Sequence, residues 1–265
     1  MDAMLQLLEI MRRLRDPDRG CPWDQRQTYG SIVPYTLEEA YEVADAIQRK
    51  DMPELRGELG DLLFQIVFYC QIAQEEGHFG FNDVAQGICD KMVRRHPHVF
   101  ADAEYADDEQ LRQAWEAEKA EERAAVSAQS QTSQMDGVAR ALPALIRAEK
   151  LQKRAARVGF DWPDVRGAFD KTREEFDEVQ SEMGGVDQAR LEDELGDLLF
   201  AVVNVVRLSG MDAEQALSRA NEKFERRFRV MEQQLKADGH DDMRKLSLQD
   251  LEAVWENVKR QERGT

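Results

Sequence analysis

The run Gly57-Glu58-Leu59-Gly60-Asp61-Leu62-Leu63-Phe64 returns later in the chain as Asp193-Glu194-Leu195-Gly196-Asp197-Leu198-Leu199-Phe200. Upstream, Leu37-Glu38-Glu39-Ala40-Tyr41-Glu42-Val43 is matched by Arg173-Glu174-Glu175-Phe176-Asp177-Glu178-Val179. Both pairs stand at one offset of 136 residues, from Glu39 to Glu175 and from Glu58 to Glu194. Chance likeness between acidic helices would not hold one offset across two separated motifs, so an internal duplication sets the architecture. With small gaps the correspondence continues: Gly20-Cys21-Pro22-Trp23 with Gly159-Phe160-Asp161-Trp162, Lys91 to Arg95 with Lys223 to Arg227, and Trp115 to Lys119 with Trp255 to Lys259. Between the copies, Ser127 to Gln134 has the polar composition of a linker. The expected layout is two homologous domains, residues 1–126 and 137–265, joined by a linker at 127–136.

Apolar residues recur at three and four positions throughout, and no segment keeps a strand-like alternation. The expected fold is all-α: two tandem helical bundles. Helices are expected at 2–15, 36–49, 53–76, 81–95 and 107–124, and at 138–157, 164–183, 187–209, 212–237 and 247–262. Pro53 and Pro163 suit first helical turns, where a missing N–H is harmless, with Asp51 and Asp161 before them as caps.

The chain has 265 residues, and 42% of them are hydrophobic, enough for packed cores. Charged residues reach 34%, with 53 Asp+Glu against 36 Lys+Arg and a formal charge of -17. That balance speaks against a partner whose affinity rests on neutralised nucleic-acid phosphates, and against attraction to an anionic membrane. The opening residues mix charges into a helical apolar pattern, unlike a secretory signal. Apolar runs such as Ile66 to Cys70 fall far short of a bilayer span. Three scattered cysteines, Cys21, Cys70 and Cys89, read as reduced thiols, and the expected location is cytoplasmic.

The chemistry lies in the carboxylates. Glu39 and Glu42 are three apart, as are Glu58 and Asp61, Glu175 and Glu178, and Glu194 and Asp197. On a helix such pairs project to one side, so two helices packed face to face would converge four acids on one volume. Four acids cannot all stay ionised together without a compensating cation. All-oxygen donors favour Mg²⁺, with Mn²⁺ as substitute. Neither half holds the Glu-x-x-His pair of a di-iron bundle. An isolated pair of this kind is ordinarily a solvated face, but a duplicated set beside a core stripe is not so explained. Gly60 and Gly196 stand between the paired acids, where close approach of a ligand or a neighbouring helix would account for a costly mid-helix glycine.

Basic residues supply the other half of a phosphate site. Lys223 and Arg227 lie four apart, as do Lys91 and Arg95; Lys259 follows Trp255 by four, and Lys119 follows Trp115 by four. Metal opposed by Lys and Arg is a common way to hold a polyphosphate. No P-loop, glycine-rich phosphate fingerprint or nucleophile elbow is present.

These motifs, together with Gly20-Cys21-Pro22-Trp23-Asp24-Gln25, Tyr35 to Glu42, Arg94 to Phe100 and Glu222 to Phe228, resemble the MazG family of all-α nucleoside triphosphate pyrophosphohydrolases across essentially the whole chain. The resemblance implies Mg²⁺-dependent hydrolysis of a nucleoside triphosphate to the monophosphate and pyrophosphate, in a homodimer. It implies that the C-terminal domain is the active one. There Glu175, Glu178, Glu194 and Asp197 would ligate metal, and Glu174, with Glu175, would act in catalysis. Lys171, Lys223, Arg227, Trp255 and Lys259 match positions that contact the nucleotide. The N-terminal copy keeps its own acids, Glu38, Glu39, Glu42, Glu58 and Asp61, with Lys91, Arg95, Trp115 and Lys119, as a second candidate site or a dimerisation or regulatory domain. It lacks a counterpart of Lys171, having Tyr35 and Thr36 there. A second reading, a non-catalytic helical dimerisation module with solvated acidic faces, leaves these acids without a task.

Overall fold

The computed structural model of the chain describes residues 2–101, 103, 105–107, 110, 111, 114, 118, 133–185 and 187–263. The chain divides into two compact units, Met1–Glu122 and Arg123–Thr265. In the first run α1 (Ala3–Leu14), a short α2 (Pro22–Gln25), α3 (Tyr29–Arg49), α4 (Met52–Glu75), α5 (Phe81–Arg95) and α6 (Pro97–Phe100). In the second run α7 (Ala144–Arg157), α8 (Val165–Glu182), α9 (Gln188–Leu208), α10 (Ala213–Ala237) and α11 (Leu248–Arg263), with a 3-10 turn at Met243–Lys245. No strand occurs among the described residues, so the all-α expectation holds. The helix expected at 107–124 and the linker residues 127–132 lie largely outside the described set.

Two helix starts and one cap differ from expectation. The helix expected from 138 begins at Ala144, after Pro143, which disfavours helical backbone in the residue before it. Helix α3 begins at Tyr29, well before residue 36, and runs through Pro34. A reciprocal cap explains it: Ser31 N–H donates to Thr28 Oγ1 at 3.3 Å, and Thr28 N–H donates to Ser31 Oγ at 2.8 Å. Pro34 lies inside the helix and gives up its own bond to the preceding turn. Helix α8 is capped by Asp164, which accepts from Arg166 N–H at 2.7 Å, so Pro163 lies outside it. Asp161 is not a cap, because its carboxylate is taken by Arg207 of α9 at 2.5 Å. Asp51 does cap α4, accepting from Glu54 N–H at 3.1 Å, with Pro53 in the first turn.

In the first unit the core gathers Met11, Ile32, Val67, Phe68 and Ile72 from α1, α3 and α4. In the second, Met231, Leu235 and Val258 form a core between α10 and α11, while Ala168, Val179, Ala201 and Val203 are buried on α8 and α9. The duplication carries into packing. Ile32 and Ala168, and Val67 and Val203, are buried pairs at the 136-residue offset. Thr36 Oγ1 donates to Ile32 O at 3.2 Å, and Thr172 Oγ1 donates to Ala168 O at 2.8 Å. One scaffold is therefore laid out twice, a helical hairpin α3–α4 and its counterpart α8–α9.

The first hairpin is tied to α1 by Arg15, whose side chain is only 8% exposed. Its guanidinium meets Glu75 at 2.6 Å and donates to the carbonyls of Asp24 at 2.6 Å and Gln27 at 3.2 Å. The turn between them closes on Gly20, whose N–H donates to Asp16 O at 2.8 Å. A Cβ there would stand 2.4 Å from Leu14 O and 2.5 Å from Asp16 O, both backbone atoms that cannot swing aside. Gly20→Ala is expected to destabilise the first unit by about 2–3 kcal/mol. The urea midpoint checks it, and an unchanged midpoint would contradict this turn geometry.

Candidate active site

Two helices supply each acid cluster. In the second unit Glu175 of α8 and Glu194 and Asp197 of α9 each offer a carboxylate oxygen, all within 4.8 Å of one another. Glu175 is the buried corner at 6% exposure, Glu194 is half-buried and Asp197 is exposed. Glu178 stands beside them: partial desolvation, then the charges of Glu175 and Glu194, push its carboxyl above the usual range, while Lys171 pulls the other way. In the first unit Glu39 and Glu42 of α3 and Glu58 of α4 form a group within 4.8 Å, with Glu42 standing in it instead of Asp61, the counterpart of Asp197. Desolvation and the charges of Asp61, Glu42 and Glu58 raise Glu39; desolvation, Glu42 and Asp61 raise Glu58. Of the eight acids paired by spacing in the sequence, six meet in two groups of three, and Asp61 and Glu178 stand outside these groups.

The two clusters differ in one respect. Lys171, one turn before Glu175, places Nζ 2.9 Å from Glu175 Oε1 and 2.7 Å from Glu174 Oε1. Hydrogen bonds to Glu174 and Glu175 hold its ammonium well above the ordinary lysine range. Among the described residues no Lys or Arg pairs with Glu38, Glu39, Glu42, Glu58 or Asp61, and Tyr35 occupies the position equivalent to Lys171. The pairing follows from helical spacing, since Glu174 and Glu175 stand three and four residues after Lys171 on one helix.

The other basic candidates lie on α10 and α11. Arg227 pairs with Glu262 at 2.5 Å, and Lys259 with Glu256 at 2.6 Å. Trp255 packs beside the α10–α11 core, with its ring 5.3 Å from that of Phe224. Lys223 is exposed on α10. No described ion pair joins Lys223, Arg227 or Lys259 to Glu175, Glu194 or Asp197. Lys91 and Arg95 lie on α5 of the first unit, whereas Trp115 and Lys119 fall outside the described residues. A Cβ at Gly60 or Gly196 would meet nothing within 4 Å, which corrects the close-helix explanation for both glycines and leaves open space between the paired acids.

An all-oxygen set this close suits a hard divalent cation, and the trio converges without rearrangement of the backbone. Among the described residues no helix is long and apolar enough to cross a membrane.

The chain is similar to known proteins over nearly its full length. A protein called nucleoside triphosphate pyrophosphohydrolase from Escherichia coli (strain K12) is 56% identical over 99% of each chain. The nucleoside triphosphate pyrophosphohydrolase/pyrophosphatase MazG of Thermotoga maritima is 40% identical, over 96% of this chain and 94% of that one. A crystal structure of a mazG-related protein from Thermotoga maritima aligns with 44% of this chain and 98% of its own, at 27% identity and a TM-score of 0.38. The family model described as the MazG nucleotide pyrophosphohydrolase domain matches residues 27–100 and 168–230, one segment around each acidic hairpin. With the match falling on both copies, the chain belongs to the MazG nucleotide pyrophosphohydrolase family.

Proposed function

We propose that this chain hydrolyses nucleoside triphosphates to the monophosphate and pyrophosphate, and that the working site is the α8–α9 cluster. The observation that carries it is the convergence of Glu175, Glu194 and Asp197 within 4.8 Å. The burial of Glu175 speaks against a merely solvated acidic face. Family membership and the names of the full-length relatives support the reaction class.

Glu175, Glu178, Glu194 and Asp197 would hold Mg²⁺, with Mn²⁺ as substitute. When bound, the ion supplies charge neutralisation of the triphosphate and acidification of a water. Glu174 is exposed beside the cluster and free to orient the attacking water and take its proton once Lys171 turns away. Lys171, Lys223, Arg227 and Lys259 would offset charge on the departing pyrophosphate. For that, Arg227 and Lys259 exchange their carboxylate partners Glu262 and Glu256 for phosphate oxygens. Such surface pairs are worth about 1 kcal/mol or less, so the exchange is inexpensive. Trp255 offers a ring face for the base. The first unit, with its own carboxylate trio and no lysine paired with it among the described residues, serves as a second metal site or as a dimerisation domain.

A homodimer fits the exposed faces of both hairpins. Phe176 is 58% exposed and Leu199 61%, and Tyr41 of the first hairpin is 58% exposed. Apolar side chains of this size gathered on one hairpin call for a covering partner, and a second copy of the chain brings the same face.

The experiment is a panel of NTPs and dNTPs incubated with and without EDTA. Monophosphate plus pyrophosphate is expected, abolished by EDTA and restored by added Mg²⁺. Diphosphate plus phosphate, or no turnover with any triphosphate, would overturn the reading.

A further inference from the structure

Taking Glu175, Glu194 and Asp197 as metal ligands, we infer that Lys171 is a built-in counter-ion of the second site, which a divalent cation must displace and which a bound triphosphate then receives. The inference rests on the proposed function and goes beyond it, because it concerns how metal and substrate uptake are coupled.

The ammonium of Lys171 stands 2.9 Å from Oε1 of Glu175, the buried member of the trio. A dication sharing that carboxylate would sit within a few ångströms of the ammonium, where like charges repel strongly in a partly desolvated site. Lys171 can leave. Its side chain is 37% exposed, and its four-carbon stem carries a compact point charge that is readily re-aimed. Its second partner, Glu174, has a side chain 59% exposed and holds it only weakly. The displaced ammonium then lacks a carboxylate partner at the cluster, and phosphate oxygens of a nearby triphosphate provide one. Metal and triphosphate thus favour each other's binding: each makes room for, or compensates, what the other disturbs.

The first unit supplies an internal comparison. Its trio Glu39, Glu42 and Glu58 also lies within 4.8 Å, but Tyr35 stands where Lys171 would be. Among the described residues no Lys or Arg pairs with that trio, so metal entering it displaces none of them. The two halves of one duplicated scaffold therefore differ in the cost of admitting metal without substrate.

The test reads Mn²⁺ binding to the full chain by the loss of the free-ion electron paramagnetic resonance signal. The chain carries Glu39→Gln, Glu42→Gln and Glu58→Gln so that only the second cluster responds. Lys171→Met is expected to tighten binding of Mn²⁺ alone about tenfold. It is also expected to shrink the gain in Mn²⁺ affinity that an α,β-methylene triphosphate analogue gives the parent. Lys171→Arg keeps the pairing and should stay near the parent. Lys236→Met, which removes an exposed positive charge given no part in the site, should leave binding of the metal alone unchanged. Equal Mn²⁺ affinity in the parent and Lys171→Met overturns the inference. Tightening by Lys236→Met equal to that by Lys171→Met also overturns it, because net charge would then suffice. Failure of the underlying reading looks different: Glu194→Gln would then leave Mn²⁺ binding as it is in the parent.

Discussion

Glu175→Gln is expected to lower pyrophosphate release by about two to three orders of magnitude, with Glu194→Gln close behind. Each substitution keeps the side-chain volume and removes one anionic ligand from a trio whose oxygens lie within 4.8 Å. Glu175 has the further disadvantage of burial at 6% exposure, since a neutral amide there has no water to take over its role. It would also remove one of the two carboxylates that hold Lys171, leaving the 2.7 Å contact with Glu174. The matched substitutions Glu39→Gln and Glu58→Gln in the first unit are expected to cost much less. Pyrophosphate release under saturating Mg²⁺ checks both pairs, with circular dichroism to confirm that the helices persist. Full activity in Glu175→Gln would remove the second unit from the chemistry.

Phe68→Ala is expected to be the most damaging core change in the first unit, costing about 3–5 kcal/mol. Phe68 is 1% exposed among Met11, Ile32, Val67 and Ile72, with Phe64 edge-on at 6.0 Å and the Arg15 guanidinium 5.4 Å from its ring centroid. Its removal empties the junction of α1, α3 and α4 and takes away the surface on which the Arg15–Glu75 pair rests. For a unit of this size the loss corresponds to a fall of about 10–20 °C in its melting transition. Calorimetry of the full chain reads it, and a transition shifted by only a degree or two would mean that the core closes elsewhere.

Both predictions depend on features of differing legibility. The α-helical class was readable because apolar residues recur at helical spacing over long segments, and α5 falls at its expected bounds, Phe81–Arg95. Helix starts were less readable. At α3 the helix starts at a reciprocal Thr28–Ser31 cap and continues through Pro34. At α8, Asp161 looked like a cap but serves Arg207, 46 residues away, a pairing no local pattern announces. The acids were readable because helical spacing puts three-apart carboxylates on one side, and the repeat named the partner helix. The basic residues were readable as a set only: the structure gives Arg227 and Lys259 carboxylate partners of their own.

By itself, the sequence determined that a helical scaffold was written twice and which acids belong together, since periodicity and a constant offset are properties of the chain alone. Tertiary structure decided which carboxylate is buried and that the space beside Gly60 and Gly196 is open. The Lys171–Glu175 pair, four apart on one helix, follows from helical spacing. Burial depends on distances between helices, and only packing the hairpin takes Glu175 out of water while leaving its neighbour Glu174 exposed.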